Sequence, residues 1–362
     1  MKEVIEVKLQ LWNASKIVLA TFIFSALIMV LMKKIAFHIG ALDKPREDED
    51  HRHIHKKTTP KLGGVGIFLG FLFGYMLFGE QSVRMNSILI GSFIVILTGI
   101  MDDINPIRAT HKMIGHILAA MVIVFYGGIT LNNISGFGYN VDFGLLAYPL
   151  TIFFIVACTN IINLIDGMDG LSGGICSIFY ITISILCFYQ GRFGSLVLIL
   201  CLIMLGSTLG FLLHNFYPAS IFCGDCATFM GFIISIITLL EFKGPALISL
   251  FVPLTIIGIP ILDTTFAIIR RLLKGQPPFQ ADKEHFHHQL LGMNFSHRTT
   301  VLIIYAINLL FASASVFYTT VSQEIGKVIY VIIFILVAWF VLHTSIITDK
   351  TKKLRKAKNK SE

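Results

Sequence analysis

The sequence predicts an all-α integral membrane protein, and three observations carry that reading. Hydrophobic residues fill 55% of the 362 positions and charged residues only 14%, with 31 Phe and a mean hydropathy of +0.78, far from the balance of a soluble domain. Apolar stretches able to cross a bilayer recur about eleven times along the chain. Most of the basic residues fall on alternate connecting segments and the tail.

In order, the spans are expected near residues 16–32, 62–79, 86–101, 112–128, 146–163, 171–190, 194–213, 227–242, 246–270, 299–320 and 326–347. The first has no small-residue cleavage site followed by a polar domain, so it reads as a retained span. The ninth is long and carries Pro253 and Pro260, which remove backbone donors. A kinked or broken helix is expected there, its freed backbone covered by protein or a cavity.

With the amino terminus outside, the inside receives residues 33–61, 102–111, 164–170, 214–226, 271–298 and the tail from 348. Of the 29 Lys and Arg residues, only Lys2, Lys8, Lys16, Arg84, Arg192, Lys243 and Lys327 fall on the other side. That bias places the first set of loops and the carboxyl terminus in the cytoplasm. No internal repeat and no soluble domain of folding size is evident. Residues 1–348 read as one polytopic domain, and 349–362 as a basic, disordered tail facing anionic lipid. The formal charge of +8 thus sets topology and meets lipid and phosphate, and nucleic acid is not an expected partner. Cys158, Cys176, Cys187 and Cys201 lie in apolar stretches and read as small core residues.

Residues that carry chemistry gather where the spans end, and ionisable groups so near lipid usually mark a functional site. Asp102 and Asp103 close the third span in G-I-M-D-D-I-N-P. Adjacent helical residues point about 100° apart, so the two carboxylates are expected to do separate work; taken alone they also read as solvated helix-end acids. An acid pair at a helix carboxyl end opposes the macrodipole, so Lys112 or a metal ion should compensate it. In N-L-I-D-G-M-D-G-L, Asn163 to Leu171, Asp166 and Asp169 share a face if the turn is helical, and Gly167 and Gly170 permit close approach of a ligand. The run lacks the ligand pattern and terminal Glu of a calcium loop.

Asp225 follows Gly224 at the start of the eighth span in H-N-F-Y-P-A-S-I-F-C-G-D. A helix amino terminus there can help hold phosphate while the carboxylate holds a cation. Cys223 and Cys226 form a lone C-x-x-C, a poor zinc or redox site. The run R-R-L-L-K-G, then P-P-F-Q-A-D-K-E-H-F-H-H, puts Arg270, Arg271, His285, His287 and His288 in one cytoplasmic loop suited to an anionic diphosphate. Its plainer readings are a topology-setting basic loop or a zinc site, and catalytic zinc needs a compact three-residue set. Together the carboxylates, imidazoles and guanidiniums, without an evident Ser or Cys nucleophile, point to Mg²⁺-assisted phosphate chemistry.

These motifs, with H-K-K-T-T-P-K-L-G-G from His55 to Gly64, resemble in order and placement the polyprenyl-phosphate N-acetylhexosamine-1-phosphate transferases. Those enzymes move a sugar 1-phosphate from a UDP-sugar to a lipid phosphate and release UMP. The resemblance spans nearly the whole chain. The D-K-E-H-F-H-H-Q-L-L run is similar to the branch that uses UDP-N-acetylglucosamine and undecaprenyl phosphate to start teichoic acid, O-antigen or related glycans. The branch acting on UDP-MurNAc-pentapeptide differs there and is the alternative.

The resemblance implies a bacterial cytoplasmic-membrane enzyme needing Mg²⁺, with Mn²⁺ as a substitute, and allows a homodimer. It makes Asp102 the acceptor of the lipid-phosphate proton, with Asp103 beside it, and Asp225 the metal ligand. Asn163, Asp166, Asp169, Asn215 and Phe222 would line the nucleotide pocket, Phe222 stacking on uracil. Arg271, His285, His287 and His288 would hold the diphosphate, and Lys56 or Lys57 would reach the nucleotide. The family's G-D-x-G-S reads G-D-C-A-T here, where Thr228 keeps the hydroxyl and Ala227 crowds the turn. CDP-alcohol phosphotransferases fit poorly, because Asp166-Gly167 is not followed by their Ala-Arg. A transporter would place acids at mid-membrane between inverted repeats.

Overall fold

A computed structural model of the chain describes residues 2–43, 58–136, 139–241, 258, 261, 264, 290–293 and 295–343. Most of the ninth expected span, with Pro253 and Pro260, lies outside them, as do the tail and the expected site residues Lys56, Lys57, Arg271, His285, His287 and His288. The chain divides into two compact units, Met1–Leu254 and Thr255–Glu362.

In the first unit eight helices follow in order: α1 (Lys2–Ile39), α2 (Gly63–Phe78), α3 (Val83–Ile104), α4 (Ala109–Met121, continued by a π-helical turn, Val122–Tyr126), α5 (Ala147–Ile165), α6 (Leu171–Tyr189), α7 (Leu196–Asn215) and α8 (Thr228–Glu241). They fall on the first eight expected spans. α1 is longer at both ends than residues 16–32, because polar residues such as Lys8 and Lys34 end the lipid-compatible stretch without ending the helix. Ser82 and Ser195 cap α3 and α7, their hydroxyls accepting the Met85 and Leu198 N–H groups at 3.1 and 3.2 Å.

Two small antiparallel pairs were not foreseen: β1 (Leu42–Asp43) with β2 (Thr59–Pro60), and β3 (Asn133–Gly136) with β4 (Tyr139–Asp142). The first pair closes the base of the segment that holds Lys56 and Lys57. In the second unit α9 (His297–Thr320) turns directly into α10 (Gln323–His343), and the Tyr330 hydroxyl donates to Ser315 Oγ at 2.6 Å across the hairpin.

Burial grades across the first unit. In their most apolar windows 83% of α6 and 78% of α7 are buried against 22% of α1, while α8 is buried from Thr228 through Leu240. Helices apolar and buried all round form the centre of a membrane bundle, with α1 on its lipid side. α1 seats against α7 across Gly206 and Gly210, where a side chain at Gly210 would meet Phe22 O at 2.6 Å. Among the described residues seven helices are long and apolar enough to cross a membrane. The protein is a helical, multi-pass membrane protein.

Candidate active site

The carboxyl ends of α1, α3, α5 and α7 and the amino ends of α2, α4, α6 and α8 border one cleft of about 580 Å³, within the usual range for small-molecule sites. Asp102, Asp103, Asn163, Asp166, Asp169, Asn215, Phe222 and Asp225 all line it. The structure thus brings together every expected site residue that it describes.

The two acids at the end of α3 do separate work, as adjacent helical positions require. Asp102 Oδ1 accepts the Ile107 N–H at 2.9 Å and its Oδ2 lies 3.0 Å from Lys112 Nζ. Asp103 Oδ1 accepts the Asp225 N–H at 3.0 Å, while its Oδ2 has no hydrogen-bond partner among the described residues. Lys112, from the first turn of α4, reaches Asp225 as well as Asp102. The compensating charge expected for the acid pair is therefore this ammonium, shared with a third carboxylate. Asn163 Nδ2 donates to the other Asp225 oxygen at 3.3 Å.

Asp225 opens a short 3₁₀ turn, Asp225–Ala227, ahead of α8. Gly224 before it has φ +72° and ψ −166°, a region essentially reserved for glycine. The Thr228 hydroxyl donates back to Asp225 O at 2.7 Å, and Ala227 is buried with its N–H on Gly224 O at 2.9 Å. The departures from the family motif are thus absorbed within the turn itself. Burial pushes the Asp225 carboxyl up from its ordinary range, and Lys112 opposes that shift. Burial pushes Asp166 up to about 8, reinforced by Asp103, Asp225 and Asp169, although the Ser172 hydroxyl donates to it. Both thiols of the C-x-x-C are fully buried, and burial raises them well above the ordinary range, as for packing residues.

Backbone links frame the cleft. The Phe222 N–H donates to Pro60 O at 2.8 Å, and the Gly63 and Gly64 N–H groups donate to Phe222 O and Cys223 O at 2.9 and 3.0 Å. A side chain at Gly64 would meet Cys226 at 2.5 Å, so the K-L-G-G motif lets α2 start directly against the Asp225 loop. Sequence reasoning counted Lys61 only among the topology-setting bases, yet it lines the cleft beside Asp43 at 3.3 Å. It gave Ser172 no role; the signal was its place next to the D-G-M-D-G-L run.

Among the described residues no three His, Cys, Asp or Glu side chains come together as a metal site. The donor set is all oxygen, and Asp103 Oδ2 is an acceptor left over beside Asp225. Such a set suits a hard divalent ion held by one or two carboxylates, with substrate oxygens and water completing the shell.

Residues 85–241, from α3 through α8, match the family described as glycosyl transferase family 4. The chain is 38% identical, over 94% of its length and 95% of the relative's, to a Bacillus subtilis protein named "Probable undecaprenyl-phosphate N-acetylglucosaminyl 1-phosphate transferase". It belongs to the polyprenyl-phosphate N-acetylhexosamine-1-phosphate transferase family. A Mycobacterium tuberculosis decaprenyl-phosphate N-acetylglucosaminephosphotransferase is 30% identical over 82% of both chains. A Yersinia pestis undecaprenyl-phosphate alpha-N-acetylglucosaminyl 1-phosphate transferase is 28% identical over 78% of both. In this member of the transferase family, the part matched by the family contains the acids at 102, 103, 166, 169 and 225.

Proposed function

We propose that the protein transfers N-acetylglucosamine 1-phosphate from UDP-N-acetylglucosamine to undecaprenyl phosphate, releasing UMP and leaving the lipid-linked diphosphate sugar that starts a cell-surface glycan. The observation that carries this reading is the convergence of Asp102, Asp103, Asp166, Asp225 and Lys112 on one cleft at the ends of membrane helices, in a chain whose relatives are named for this reaction. In this reading the chain crosses a bacterial cytoplasmic membrane eleven times, its amino terminus outside, its carboxyl terminus inside and its ninth helix broken near Pro253 and Pro260. The cleft faces the cytoplasm, where most of the basic residues lie, and a homodimer is compatible with it.

A phosphate monoester with a second pKa near 6 is already largely ionised at neutral pH. Little general-base help is then needed, and positioning with charge neutralisation supplies most of the rate. Asp102 takes whatever proton the lipid phosphate retains. A lipid-phosphate oxygen bonds to the β-phosphorus as the bond from that phosphorus to the bridging oxygen breaks, and UMP leaves with that oxygen. Lys112 offsets the charge of Asp102 and Asp225, and Asn163 orients Asp225. Phe222 offers an aromatic face for uracil, and Lys61, Lys56 or Lys57, Arg271 and the three histidines meet phosphate charge. Mg²⁺ or Mn²⁺, held chiefly by Asp225, would supply neutralisation of the diphosphate when bound.

The test incubates purified protein with UDP-N-acetylglucosamine, undecaprenyl phosphate and Mg²⁺. UMP should appear, and should be lost with EDTA and with Asp225→Asn. Full turnover in that variant would remove the metal role. Turnover with UDP-N-acetylgalactosamine alone would change only the donor, and no UMP from any donor would sink the reading.

A further inference from the structure

One helical turn away from the contacts to Asp225 lies a second polar pair, His116 on α4 and Asn160 on α5. His116 is one turn beyond Lys112, and Asn160 is one turn before Asn163. Both sit in segments long and apolar enough to cross a membrane, where a polar side chain is costly to bury without a hydrogen bond. Asn160 Nδ2 donates to Val156 O at 2.7 Å and lies 3.2 Å from His116 Nδ1. A backbone carbonyl can only accept, so the group facing Val156 is the amide NH2, and its second hydrogen is the one that meets the imidazole. Nδ1 is then the acceptor, which makes His116 a neutral ring with its hydrogen on Nε2.

The neighbouring turns of the same two helices hold Asp225 from both sides. Lys112 on α4 reaches one of its carboxylate oxygens, and Asn163 on α5 donates to the other at 3.3 Å. The spacing of α4 and α5 therefore decides whether both can grip that carboxylate at once. We propose that His116 and Asn160 are positioning residues, an interhelical rung that keeps Lys112 and Asn163 at the separation Asp225 requires. His116 is 3% exposed and is not among the described residues bordering the cleft, so it acts through Lys112 and not on substrate. Next to it, Gly115 lets α4 lie against Thr98 of α3, a packing contact that does not use the rung. Loss of the rung should thus loosen the grip on Asp225 more than the fold.

The inference rests on the transferase reading for its turnover assay alone. His116→Phe keeps an aromatic ring and removes the acceptor, and its UMP release should fall about a hundredfold, the scale of a small misplacement near reacting groups. His116→Asn puts an amide oxygen where Nδ1 stood and should regain more than half of that loss on a logarithmic scale. Lys112 supplies a second readout, since an amine held by two carboxylates is shielded from acylation. Under a brief pulse of acetic anhydride, read by mass spectrometry, Lys112 should be acetylated faster in His116→Phe than in the parent, and again slowly in His116→Asn. A bond serving folding alone would lower the melting temperature and leave turnover and Lys112 labelling of the folded protein unchanged, which overturns the proposal. A smaller recovery in His116→Asn overturns it as well. Where His116→Phe does not fold, Asn160→Ala, which removes the donor at a half-buried position, takes its place with the same expected losses. If the unmodified chain releases no UMP from any donor, the transferase reading has failed, and Lys112 labelling decides the rung: faster in His116→Phe and restored in His116→Asn supports it, and any other order overturns it.

Discussion

Asp103 Oδ1 accepts the backbone N–H of Asp225 at 3.0 Å, across 122 positions of sequence. One acid thereby holds the main chain of another whose own carboxyl turns to Lys112 and Asn163. Asp103→Ala would leave that N–H unpaired, a cost of about 1–3 kcal/mol. By letting Asp225 drift it should also lower turnover about a hundredfold. Asp103→Asn keeps the acceptor and should regain most of the stability. Melting temperature and UMP release, measured on both variants, check this; equal stability losses would refute it.

Gly224→Ala should be more damaging than its size suggests. The residue lies at φ +72°, and an added Cβ would stand 2.5 Å from Asp103 Oδ2. Backbone strain alone costs about 1–3 kcal/mol, and relief of the clash must move Asp103 or Asp225. Turnover is expected to fall in a variant that still folds. An Ala variant with parental turnover and melting temperature would contradict the geometry.

Asp166 makes stability depend on pH. In the unfolded chain an Asp ionises near 4, whereas in the folded protein this carboxyl keeps its proton up to about 8. Between those values unfolding releases a proton, so stability falls as pH rises from about 4 to about 8 and is level beyond. Asp166→Asn removes that fall. In EDTA, its melting temperature relative to the parent should improve between about pH 5 and pH 8, and a constant difference would show that burial does not hold the proton.

Far from the cleft, at the opposite ends of α6 and α8, Arg192 Nη2 lies 2.7 and 2.6 Å from the two oxygens of Glu241. Glu241→Gln should lower stability by about 1 kcal/mol, since the Arg is a third exposed and partly screened. Turnover should not change. A drop in kcat without loss of stability would mean that this end of the bundle communicates with the site.

Much of the site was legible because its signals are local. Asp102 and Asp103 had to diverge by helix geometry, and an acid pair at a helix end demanded a cation, which Lys112 supplies. Gly170 was read as a place for unusual backbone angles, and it lies at φ +81°. The β3–β4 hairpin escaped notice because Asn133–Asp142 is short and polar, with no strong alternation. The ends of α1 escaped because hydropathy marks the edge of lipid, while hydrogen bonding and propensity mark the end of a helix. Lys61 passed as one base among many, since nothing in its neighbours tells which Lys faces a cleft.

By itself, the sequence determined that this is a bundle of membrane helices with its acids at helix ends, because hydropathy, charge and helical period are written residue by residue. Only the tertiary structure decided which acids meet, that Lys112 joins Asp102 to Asp225, and that Asn215 bonds the backbone of Gly170 and Ile221 on two different loops. Those pairings depend on how closely distant helices approach, as at Gly210 against α1 and Gly64 against Cys226, and close approach is a property of packed surfaces that no local pattern specifies.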